Sequence, residues 1–117
     1  MKRFRLSRLA EADLEDILAT SAEGWGMEGQ RRYAAIIAAA LLQVVNDPQG
    51  PMTRERTDLL SSLRSFHTRH ARGDVAAKVR RPVHILFYRA HTPDLIEVVR
   101  VLHERMDPSR HLAAITR

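Results

Sequence analysis

The chain has 117 residues, no cysteine and a formal net charge of +5. That length supports one domain with a core of its own, and the lack of cysteine excludes disulfide frameworks and thiolate metal sites. No apolar run approaches the roughly 18 residues of a membrane helix. The N-terminus MKRFRLSRLAEADLED also lacks the apolar region of a secretion signal, so a soluble cytoplasmic protein without membrane contact is expected.

RFRLS (3–7) alternates polar and apolar side chains and predicts a short strand with one buried face. Ser7 is placed as N-cap of a helix, LAEADLEDILATSAE, which sets Leu14, Ile17, Leu18 and Ser21 on one face. Glu11, Asp13, Glu15 and Asp16 crowd its early turns, where the positive end of the helix dipole favours them. Gly24 and Gly26 bracket Trp25 and interrupt the pattern, as a helix end and a tight turn would. Burial is the expectation for Trp25, sealing that turn; exposure would mark it as a contact residue. A second helix is predicted over 28–46, with Tyr33, Ile36, Ile37, Ala40, Leu41, Val44 and Val45 at helical spacing. Alanines at 34, 35, 38 and 39 permit close approach, and two such helices make an antiparallel hairpin, ended by NDPQGP (46–51).

From there the period changes to 2. LRSFHTRH (63–70) predicts a moderately polar strand, and ARGDVAAKVRRP (71–82) an exposed loop. VHILFYRA (83–90) and LIEVVRVL (95–102) are strongly apolar strands joined through AHTPD. Both are apolar on each face, which places them centrally in a sheet and covered by the helices. Pro108 begins a last short helical segment. The order β-α-α-β-β-β-α defines an α+β domain over 1–117, a helical hairpin packed on a small, mostly antiparallel sheet.

IEVVRVLHERMD (96–107) carries His103, Glu104 and Arg105 to the end of a strand, which invites a catalytic reading. HERMD begins like the zinc-protease motif, but Asp107 stands where a second histidine is needed. His67 and His70, three apart on a predicted strand, point to opposite faces, so no metal site is expected. Neither an activated nucleophile nor a phosphate-cradling glycine loop is present, and no cofactor is expected. The residue types for acid–base cleavage of RNA occur in Arg64, Tyr88, Arg89, His103, Glu104 and Arg105, but structural pairing accounts for them better. Arg100 shares a predicted strand face with Ile96, Val98 and Leu102 and must be paired. Its expected partner is Asp94 or a carboxylate of the acidic first helix.

FRLSRLAEADLEDI (4–17), WG (25–26), LRSF (63–66), HILFYR (84–89) and IEVVRVLHERMDPSRHL (96–112) follow one another along the chain. Together they resemble the ParE toxins, of the RelE/ParE superfamily of bacterial type II toxin–antitoxin systems, and the last two are specific to ParE rather than RelE. The resemblance implies a RelE/ParE-like fold and a role in plasmid or chromosome maintenance. It implies a toxin that inhibits DNA gyrase rather than an enzyme, neutralised by a ParD-type antitoxin in a hetero-oligomer. Nucleic acid would be met directly only through that antitoxin complex. The alternative is a RelE-like ribosome-dependent mRNA endonuclease using Arg64, Arg89 and His103.

Charge is unevenly divided. Residues 1–53 carry six Lys/Arg and seven Asp/Glu, and residues 54–117 carry thirteen and seven, nearly all the cations being arginine. That basic half suits the acidic, partly disordered tail of such antitoxins. Antitoxin contacts are therefore expected at the edge of the first strand and on the hairpin, through Phe4, Leu6, Leu14, Trp25 and Tyr33, with Arg64 and Arg89 as ionic anchors. Target contacts are expected after the last strand, at His103, Arg105, Met106, Arg110 and Leu112, with the turn around Trp25 as a second candidate.

Overall fold

The computed structural model describes residues 2–72, 81–113 and 115. The elements are β1 (Arg3–Leu6), α1 (Arg8–Asn46), β2 (Arg54–Glu55), β3 (Arg64–His67), β4 (His84–Thr92), β5 (Leu95–His103) and α2 (Pro108–Leu112). A single 3-10 turn, Thr68–His70, follows β3. The expected loop over 71–82 lies mostly outside the described residues.

Ser7 caps α1: its Oγ accepts from the Ala10 amide at 3.0 Å and donates to the Val99 carbonyl at 2.8 Å. One side chain thus satisfies a helix start and fastens it to β5. Straight, the 39 residues of α1 would run about 58 Å, yet the fold is 38 Å in its longest dimension. The helix breaks at Gly26, with φ 75° and ψ −176°, a conformation reserved almost wholly for glycine. The two limbs form the expected hairpin, and Gln30 Nε2 donates back across the break to the Leu18 carbonyl at 3.0 Å. Gly24 stays helical with open space around it. Gly26→Ala should therefore destabilise the protein by about 1–3 kcal/mol, whereas Gly24→Ala should be neutral or stabilising by a few tenths. Paired urea titrations of the two variants separate them, and equal midpoints would contradict the turn assignment.

The sheet runs β1-β5-β4-β3-β2, antiparallel except for the parallel β1–β5 pair. The central position expected for β4 and β5 holds. Two boundaries and one element differ from expectation. The strand predicted over 63–70 ends at His67 because the chain coils into the 3-10 turn. The five-residue hairpin loop shrinks to Pro93-Asp94, since Ala90–Thr92 still belong to β4. A two-residue edge strand, β2, was not expected at all, being too short to show a period.

The cover of the sheet is also divided differently. One face packs on both limbs of α1 through Ile17, Ile36, Val44, Phe66, Tyr88 and Val98. The other face is closed not by the helical hairpin but by the turn around Leu60 and Leu63 and by α2, through Leu112 against Phe87, Val99 and Leu102. A β-bulge lets β5 be apolar on both faces, with Arg100 opposite Phe87 on the second one. Phe87 pairs with Arg100 but Tyr88 with Val98, leaving Val99 as the extra residue. Val98 and Val101 consequently join the first core and Val99 and Leu102 the second.

Arg100, beside the bulge, finds the carboxylate it needs on the first helix. Its Nε and Nη2 each donate to Asp13 at 2.8 Å, and its Nη1 donates to the His111 carbonyl at 2.9 Å. Asp13 also accepts the Val101 amide at 2.9 Å, which the bulge would otherwise leave exposed. The bonds to Asp13 raise the Arg100 pKa above its ordinary value, and the set joins α1, β5 and α2 at one point.

Candidate functional site

Three titratable rings meet where the hairpin turn reaches the end of the sheet. His84 and His103 are direct cross-strand partners with ring centroids 5.4 Å apart. Tyr33 Oη, which accepts the Val83 amide at 3.1 Å, lies 2.5 Å from His84 Nδ1. Burial pushes His84 down to about 4, with His103 and His67 adding to the effect, so the ring is neutral at pH 7. Burial also raises the Tyr33 hydroxyl, which stays protonated. Neither group is a proton-transfer agent poised near neutrality.

The neighbouring side chains are equally committed. His103 Nδ1 accepts the Arg105 amide at 3.1 Å, the Glu104 amide bonds the Val83 carbonyl at 2.7 Å, and the Met106 amide the His103 carbonyl at 2.9 Å. His-Glu-Arg is thus a hydrogen-bonded turn that ends β5. His67 Nδ1 accepts the Arg69 amide, so its Nε2 donates to Glu104 at 2.7 Å, while Arg81 reaches the other carboxylate oxygen at 3.3 Å. The His67 bond, then the Arg81 bond, hold Glu104 below the usual carboxylate range. The strand geometry expected to part His67 from His70 is replaced by the 3-10 turn, which leaves the rings 6.4 Å apart. Among the described residues no three His, Asp or Glu side chains converge as a metal site requires.

Stability should register His84. Its folded pKa lies below the ordinary 6.5, so the unfolded chain takes up a proton that the fold refuses. Stability is full above about pH 6.5 and is lost as pH falls toward 4. Discounted for partial exposure, the loss is on the order of 2 kcal/mol. Denaturation of the parent and His84→Gln at pH 7 and pH 5 measures it: the variant should show the smaller drop.

Arg64, Arg89 and His103 do not assemble. Arg64 lies opposite Tyr88 and His103 opposite His84, so four strand residues, about 13 Å, separate them. Arg64 Nη2 donates to Thr53 Oγ1 at 2.8 Å and its Nη1 is 3.8 Å from Glu55. Arg89 pairs with Glu97 at 3.2 Å, and Glu97 also meets Arg5 at 3.4 Å. Both arginines expected as ionic anchors thus have partners within the chain.

Between the turn of α1 and the end of the sheet opens a cleft of about 460 Å³, walled by Ile17, Trp25, Val83 and Met106, with Tyr33, His84 and His103 also lining it. Trp25 is 65% exposed, which overturns its expected burial, and Met27 beside it is 63% exposed. The glycine turn swings the indole past the rim, where Gly29, whose Cβ would meet Trp25 Cβ at 2.4 Å, gives it room.

A family model described as ParE toxin of type II toxin-antitoxin system, parDE, matches residues 4–108. The chain belongs to the ParE toxin family. It is 34% identical over 112 residues to Toxin ParE1 of Caulobacter vibrioides, covering 96% of this chain and 99% of that one. It is 30% identical over 110 residues to Toxin ParE1 of Mycobacterium tuberculosis, covering 94% and 97%. A chain of the chromosomal ParDE TA system from P. aeruginosa superposes with a TM-score of 0.63 at 17% identity, covering 88% of this chain and 96% of that one, and shares the fold.

Within this ParE fold the expected contact residues separate by burial. Phe4 is 41% exposed on an edge strand, and Arg105, Met106 and Arg110 are exposed around α2. Leu6 and Leu14 pack partly buried against the first core, and Tyr33 belongs to it. Leu112 is 2% exposed, so it holds α2 down instead of offering itself to a partner. Sequence reasoning passed over the exposed Met27, Leu42 and Met52. Leu42 was findable, since it sits about 100° around the helix from its buried neighbour Leu41. Nothing local marks the two methionines.

Proposed function

We propose that this protein is a cytoplasmic toxin, its 117 residues acting as one unit, that arrests growth by binding and inhibiting DNA gyrase. It needs no chemistry of its own, and a ParD-type antitoxin neutralises it in a hetero-oligomer through which alone nucleic acid is contacted. The observation that carries this reading is the match to the ParE toxin family over residues 4–108. The dispersal of Arg64, Arg89 and His103 supports inhibition over RNA cleavage. The antitoxin surface includes Phe4 at the free edge of β1, flanked by the exposed Arg3 and Arg5, where an acidic extended segment can add to the sheet. The target surface is Arg105, Met106 and Arg110, with His103 beside Met106 in the cleft and Leu112 holding the segment in place. Purified protein added to gyrase should abolish supercoiling and accumulate cleaved DNA. Unimpaired supercoiling at saturating folded protein, or codon-phased cuts in translated mRNA after induction, would overturn the reading.

A further inference from the structure

The chain is basic overall, yet the stretch from 9 to 30 holds six carboxylates and no Lys, Arg or His. Asp13 is consumed by Arg100. The other five, Glu11, Glu15, Asp16, Glu23 and Glu28, are exposed, and none forms a salt bridge among the described residues. Five uncompensated carboxylates therefore line the first limb of the hairpin and its turn. Asp16 itself borders the apolar cleft beneath Trp25. Arg31 and Arg32 begin the second limb and Arg105 precedes Met106; they bound this acidic surface without pairing to it.

We infer that the cleft beneath Trp25 docks a basic amphipathic segment of a partner protein, which inserts one bulky apolar side chain and lays its Lys or Arg side chains along the acidic limb. Trp25 and Met27 extend the apolar surface beyond the cleft, as the rim of a helix-binding groove does, and exposed Trp and Met are what interface centres favour. The neutral His84 adds no positive charge that would oppose a cationic ligand. Nucleic acid and anionic membranes are repelled by the same carboxylates, and so is an acidic antitoxin tail. Trp25 is thereby assigned to a different partner from Phe4 and the β1 edge. A surface of this sign matches a cationic protein whether or not that protein is gyrase, so the supercoiling assay and the test below can fail separately.

Trp25 is the chain's single tryptophan, so its fluorescence reports this site alone. Two 18-residue helical peptides, one of leucine and lysine and one of leucine and glutamate, serve as probes for the intact protein at pH 7. The lysine peptide should shift the Trp25 emission saturably to the blue, and the glutamate peptide should not. Combining Asp16→Asn, Glu23→Gln and Glu28→Gln should weaken the lysine peptide about tenfold, as loss of rim charge predicts. Trp25→Ala, followed by anisotropy of labelled peptide, should weaken it comparably, because an exposed anchor is lost with the fold retained. Amide shifts should be confined to 16–33, 83–84 and 103–106. Equal binding of both peptides, undiminished binding to the charge-neutralised variant, or shifts spread over the whole surface would overturn the inference.

Discussion

Asp13→Ala should cost about 3 kcal/mol of stability and lower the melting temperature by about 12 °C. The magnitude comes from what the substitution leaves behind. Arg100 would keep its charge in a site where its side chain is 13% exposed, with Nε and Nη2 deprived of an acceptor. The Val101 amide, held by the same carboxylate, would be orphaned at the bulge. Arg100 also carries α2 through the His111 carbonyl, so hydrogen exchange in 108–112 should accelerate well before global unfolding. Asp13→Leu combined with Arg100→Met should recover most of the loss, because removing both charges leaves neither one unpaired. A melting shift of only a degree or two for Asp13→Ala would mean that the joint is not the anchor its geometry describes.

Leu112→Ala should cost a further class of stability, about 2–4 kcal/mol, although the residue lies in a helix of five residues close to the C-terminus. That helix supplies part of the only cover over Phe87, Val99 and Leu102 among the described residues. A cavity there loosens the whole second face, and the exposed strand surface should promote aggregation. Chemical denaturation measures the cost. The same variant separates scaffold from contact: gyrase inhibition should fall in step with the folded fraction, whereas Arg105→Ala or Arg110→Ala should reduce inhibition with stability unchanged.

Much of this architecture is legible along the chain because its signals are local. Ser7, the glycines around Trp25 and the 3.6-residue stripe from Tyr33 to Val45 each announce an element through neighbours a few residues away. The partner of Arg100 was also foreseeable, since an arginine in an apolar strand demands a carboxylate and the first helix is crowded with them. Non-local facts were not. The bulge at Val99 is set by the register of β4 against β5 and shows in no single strand. The second core depends on Leu60, Leu63 and Leu112 arriving from distant segments. The fate of Trp25 rests on one torsion at Gly26, which the letters permit but do not dictate. At the candidate site, types and rough positions could be read, but not commitments. Whether Arg64, Arg89 or His103 is free to act depends on Glu55, Glu97 and the Arg105 amide meeting them.

The parallel pairing of β1 with β5 has a consequence for synthesis. Arg3 through Leu6 find their partners only at Leu95 through Val98, so β1 leaves the ribosome about ninety residues before the strand it pairs with. Such long-range closure is slow, and until it occurs the α1 hairpin has no completed sheet to pack on. A nascent chain halted anywhere before residue 95 lacks the strand that β1, β4 and Asp13 all require. The completed fold can form only once residues 95–103 have been synthesised. Fragments released early should be harmless substrates for proteases, and the interval of synthesis is time in which a waiting partner can meet the chain before it closes.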